Sequence, residues 1–97
     1  MLYTLICTDK PDMLAVRQDT RAAHLEFLKG LGDRLKAGGP FIAGDGETPI
    51  GSLVIIEASS LEDAKKIASQ DPYARAGLFQ SVDIRPWKWV LNNPEGG

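Results

Sequence analysis

Apolar residues along the chain follow two different periods. Leu2-Tyr3-Thr4-Leu5-Ile6-Cys7 and Leu53-Val54-Ile55-Ile56 are short runs bounded by turn formers, as strands are. Between Arg17 and Leu35 the spacing is helical. At 100° per residue, Leu28, Leu31 and Leu35 lie within about 40° of His24, with Phe27 about 60° away and Glu26, Lys29 and Asp33 opposite. The pattern predicts a first strand over Leu2–Thr8, a turn at Lys10-Pro11-Asp12, and a helix to about Ala37 that Gly38-Gly39-Pro40 stops. A short second strand, Phe41–Ala43, leads through Asp45-Gly46 and Thr48-Pro49 to a third, Gly51–Ala58. Ser59 with Glu62 reads as a capping box for a second helix, Leu61–Gln70. Asp71-Pro72 opens a short helical turn closed by Gly77, and a last strand runs from Leu78 to about Val90. The order βαββαβ predicts an α+β domain. It is the ferredoxin-like plait, an antiparallel four-stranded sheet with two helices on one face.

The strands are apolar on both sides, where a sheet with one wet face should alternate. Leu2, Thr4 and Ile6 oppose Tyr3, Leu5 and Cys7; Leu53 and Ile55 oppose Val54 and Ile56; Val82 and Ile84 oppose Phe79, Trp87 and Trp89. Two helices cover one face only, and an uncovered apolar face of that size is rare on a monomer. A homodimer packed sheet against sheet is the economical solution. Shielding by the tail or by long polar side chains is the alternative.

Composition narrows the function classes. The 97 residues, 43% apolar and 25% charged, suit one soluble domain, expected over residues 1–91 with a flexible tail at 92–97. A net charge of −2 argues against nucleic acid as a partner, and no apolar run is long enough to span a membrane. One cysteine allows no intrachain disulfide, and with one histidine it cannot make a structural zinc site, so neither metal nor cofactor is expected. The first residues lack the basic and cleavage regions of a signal peptide, which points to the cytoplasm.

The only histidine carries the chemistry that remains. His24 sits on the core-facing stripe of the first helix, which Arg17, Thr20 and Arg21 continue toward the N-terminus, as though the helix left the core and entered a polar cleft. Imidazole suits proton transfer near neutrality, given a carboxylate to orient it; a half-buried ring bonded to a backbone carbonyl is the competing reading. Asp71 can be that partner while also capping the turn that Pro72 begins, because the proline keeps it out of the helical region. Arg17 and Arg21, four apart on one helix face, are either a solvated pair bonded to Asp12 or Asp19 or a clamp for a small anionic ligand. Cys7, in mid-strand with no cation nearby in sequence, reads as a packed thiol.

Arg21-Ala22-Ala23-His24-Leu25, Ala37-Gly38-Gly39-Pro40, Gly51-Ser52-Leu53, Ala68-Ser69-Gln70-Asp71-Pro72-Tyr73, Ala76-Gly77-Leu78-Phe79 and Ile84-Arg85-Pro86-Trp87 span nearly the whole chain in this order. Together these segments resemble the YCII (YciI-like) family of small bacterial proteins. Ala22 departs from the proline that relatives often carry there. The resemblance implies a dimeric α/β barrel and a His-Asp site falling on His24 and Asp71, with activities that abstract protons from small cyclic or aromatic compounds. Ser52 and Tyr73 can line the same cleft, or be respectively an ordinary strand residue and a core aromatic. Two function classes stay open: a cofactor-independent lyase or isomerase with His24 as base, and a non-catalytic module that binds or senses a small metabolite. A purely structural dimer is a third. Other users of the plait fit poorly. The strands lack the aromatic and basic residues of an RNA platform, no glycine-rich phosphate loop follows the first strand, and nothing besides His24 suggests a haem pocket.

Overall fold

The computed structural model describes residues 1–94, so residues 95–97 of the expected tail lie outside the described residues. Strands β1 (Leu2–Asp9), β2 (Leu35–Ile42), β3 (Pro49–Glu57) and β4 (Phe79–Trp87) form one antiparallel sheet in the order β2-β3-β1-β4. Helices α1 (Leu14–Gly30), α2 (Leu61–Gln70) and the single turn α3 (Pro72–Arg75) complete the ferredoxin-like α+β plait. Among the described residues, no helix is long and apolar enough to cross a membrane.

Several boundaries differ from expectation: β2 begins at Leu35 rather than Phe41, and β4 ends at Trp87, leaving Trp89 and Val90 outside the strand. The first helix ends at Gly30 rather than Ala37, because Gly32 adopts a left-handed φ of 58° and a single 3₁₀ turn, Gly32–Arg34, follows. Gly38-Gly39-Pro40 therefore stops no helix; it lies within β2, paired with Val54, Leu53 and Ser52. Proline is tolerated there because β2 is an edge strand. The cap of α2 is also displaced by one residue. Ser60, not Ser59, accepts the Asp63 N–H at 3.0 Å, and Asp63, not Glu62, reaches back to the Ser59 N–H at 3.0 Å. Leu61 is already helical, so the third helical position belongs to Asp63.

The core lies between the helices and one face of the sheet. Tyr3, Leu5 and Cys7 of β1 alternate inward with Val54 and Ile56 of β3, against Ala64 and Ile67 of α2 and Leu31 after α1. Phe79 belongs with them, contrary to the expected alternation. The β1–β4 register slips between Thr8 and Asp9, which pair with Ser81 and Phe79 and leave Gln80 as an extra residue. That bulge turns Phe79 to the helix side, while Trp87 opposite Leu2 stays on the other. The outer face carries Leu2, Ile6, Leu53 and Ile55, only half-buried, with Phe41 and Trp87 exposed at its margins. At its rim Gly51 is obligatory, since a Cβ would collide with the Cys7 carbonyl.

Candidate active site

α1 reaches the core only at its C-terminal end, where Phe27 and Leu28 meet it; its buried residues are Arg17 and His24, both polar. A histidine and an arginine seven apart lie about 20° from one another on a helix surface, so they share one stripe. That stripe forms one wall of a cleft of about 290 Å³. Gly38, Gly39 and Pro40 of β2 are part of the opposite wall, and their lack of long side chains leaves the space open.

His24 meets Asp71 at the back of this cleft. Its Nδ1 lies 2.8 and 3.0 Å from the two carboxylate oxygens, with both side chains buried. Asp71 is extended, at φ −60° and ψ 128°, as a residue before proline must be. Its Oδ1 also accepts the Tyr73 N–H at 2.9 Å, so the cap of α3 and the contact with His24 are made by the same carboxylate. A carboxylate only accepts, which puts the proton of a neutral imidazole on Nδ1. Nε2 is then the unprotonated nitrogen. Among the described residues it has no hydrogen-bond partner, and His24 lines the cleft. Tyr73 stacks on the imidazole with centroids 3.9 Å apart and planes 14° apart, and Phe79 meets Tyr73 edge-on at 6.1 Å. The imidazole is thus fixed by a hydrogen bond in its plane and a ring on its face.

Arg17 is held as firmly. Its Nη1 donates to both oxygens of Asp9, at 3.1 and 2.9 Å, and its Nη2 donates to Ser52 Oγ at 2.9 Å. The guanidinium carbon lies 4.8 Å from the Tyr73 ring centre. The partner is neither Asp12 nor Asp19. Asp9 was missed because the first strand runs one residue further than its apolar pattern, and only the two-residue step from Cys7 hints that it turns inward. Arg21 is exposed and lines the cleft without an ion pair among the described residues. The structure therefore gathers Arg17, Arg21, His24, Ser52 and Tyr73 around one cavity, with Asp71 behind His24.

Burial raises the Tyr73 hydroxyl above its ordinary pKa, opposed by the positive charges of Arg17 and Arg21. Burial, reinforced by Asp71 and Asp9, pushes the Cys7 thiol up to about 12. Cys7 is thus a packed, protonated thiol with no nucleophilic character.

Fold and cleft define an α+β plait protein with a buried histidine–carboxylate pair whose histidine lines a cavity of about 290 Å³. The family model described as the YCII-related domain matches residues 1–88, and the chain belongs to that family. Protein YciI of Escherichia coli is 42% identical over 98 residues, covering 94% of this chain and all of its own length. A Haemophilus influenzae protein is 39% identical with the same coverage. Among solved structures, the 5-chloro-2-hydroxyhydroquinone dehydrochlorinase TftG of Burkholderia phenoliruptrix superposes with a TM-score of 0.84 at 34% identity, covering 96% of this chain and 99% of its own. TftG was solved in complex with 2,5-dihydroxybenzoquinone.

Proposed function

We propose that this protein is a cofactor-independent lyase or isomerase in which His24 abstracts a proton from a small, oxygen-bearing ring. The reading rests on one observation above all: His24 Nδ1 is tied to buried Asp71 while Nε2 is left to the cleft. In the reaction Nε2 takes the proton. The electron pair of the broken bond moves into the ring, and the ring pair it displaces either expels a leaving group with its own pair (a lyase) or takes up a proton at another ring carbon (an isomerase). Asp71 steadies the imidazolium that results, and the proton later passes to product or water. Arg21, the exposed cation at the cleft, meets the negative end of the ligand, and the ordered Tyr73 ring keeps the imidazole in place. TftG supports the class of reaction, since its name describes removal of chloride from a hydroxylated ring and it binds a quinone.

The same reading takes the functional unit as a cytoplasmic homodimer. The half-buried apolar outer face supports the dimer, and the lone free thiol suits a reducing compartment. The experiment is turnover of 5-chloro-2-hydroxyhydroquinone, followed by chloride release. His24→Ala is expected to lower kcat by about 10²–10⁴-fold while circular dichroism stays unchanged. A folded His24→Ala protein that releases chloride at the parent rate would rule the base role out.

A further inference from the structure

Ser52 occupies a position whose chemistry is set by its neighbours. Its hydroxyl is buried, lines the cleft, and receives a hydrogen bond from the Arg17 guanidinium at 2.9 Å. Arginine has donors only, so the Ser52 oxygen must accept in this contact, and its own O–H hydrogen is left over. Among the described residues the Ser52 hydroxyl donates no hydrogen bond. A charge-assisted bond into the oxygen selects one side-chain rotamer and strengthens the hydroxyl as a donor. Arg17 in turn cannot turn away to meet a ligand, because both oxygens of Asp9 hold its Nη1.

We propose that Ser52 is a pre-aimed hydrogen-bond donor to an oxygen of the ring ligand, and that Asp9, through Arg17, is the positioning residue that aims it. This deepens the function proposed above and rests on the ligand class named there. It divides the work of the two arginines: Arg17 orients the donor, and Arg21 supplies charge to the ligand. It also gives the cleft a polar contact separate from His24, so that one ring oxygen is fixed while a proton is removed elsewhere on the ring.

The test is an absorbance titration with 2,5-dihydroxybenzoquinone. Loss of one hydrogen bond predicts about tenfold weaker binding by Ser52→Ala, and Ser52→Thr, which keeps the hydroxyl, restores it. Asp9→Asn should weaken binding by itself yet add nothing in the Ser52→Ala background, because both changes remove the same contact. A merely structural role for Asp9 would give additive losses. Equal affinity of the parent and Ser52→Ala overturns the donor role, as does a parent that fails to bind the quinone. Neither result touches the base role of His24, which is read from the chloride-release rate of His24→Ala.

Discussion

Two carboxylates are buried against the polar stripe of α1, and the basic side chains they hold differ in kind. Asp9 holds Arg17, with side chains 9% and 7% exposed; Asp71 holds His24, at 10% and 9%. The surroundings are alike, and both side chains touch the same Tyr73 ring. Arginine never loses its charge in a protein, whereas histidine can give up or take a proton. The Asp9–Arg17 pair therefore keeps its charge fixed, and the Asp71–His24 pair is the one able to exchange a proton.

The comparison is broken most severely by removing a carboxylate from each pair. Asp9→Ala leaves a buried guanidinium without its counter-charge and should cost about 3–5 kcal/mol in urea denaturation. Asp71→Ala should cost about 1–2 kcal/mol, mainly the lost cap of α3, because no permanently charged partner is left buried. The reverse order of losses would contradict the distinction between a fixed and a switchable pair.

Cys7 offers a sharper contrast, as a neutral group on the same face of β1 two residues before Asp9. Its folded-state pKa is raised from 9.0 to about 12, so its contribution is fully present below pH 9.0. As pH rises through the window from 9.0 to about 12, the unfolded chain releases this proton and the folded one does not. Stability is then lost by up to about 1.4 kcal/mol per pH unit. The difference between the parent and Cys7→Ala in denaturation midpoints across that window isolates the effect from other alkaline titrations. An alkaline slope identical in the two proteins would show that the thiol is not held protonated.

The smallest effect on the fold itself is expected on the outer face of the sheet. Leu53→Asp touches none of the buried pairs and should change monomer stability by about 0.5 kcal/mol or less. It should nevertheless halve the mass seen by sedimentation, if the outer face joins two copies. A parent protein that sediments as a monomer contradicts that assembly.

The residues that carried the fold in the sequence were those with strong local periods. The Leu28–Leu31 stripe, the strand runs around Leu5 and Val54, and the limits of α2 all appear where the pattern put them. Local signals misled where tertiary pairing overrode them. Gly38-Gly39-Pro40 has the composition of a helix stop, but hydrogen bonding to β3 makes it strand, and it then lines the cleft opposite α1. The bulge at Gln80 reversed the expected side of Phe79, because a single unpaired residue inverts a period of two. At the site, His24 was legible as a polar break in an apolar stripe, and Asp71 from its place before Pro72. Asp9 was not, since nothing in a strand's own pattern announces that its last residue meets an arginine eight positions later.

The presence of one histidine makes the central claim directly measurable. In ¹⁵N-labelled protein, recorded where the imidazole is neutral, the ring nitrogens give a single pair of resonances that report which of them carries the proton. The account predicts a protonated Nδ1, coupled to Asp71, and a bare Nε2 whose resonance shifts when 2,5-dihydroxybenzoquinone is added. A proton found on Nε2 instead, with Nδ1 bare, would leave His24 without a free base in the cleft and would contradict the mechanism.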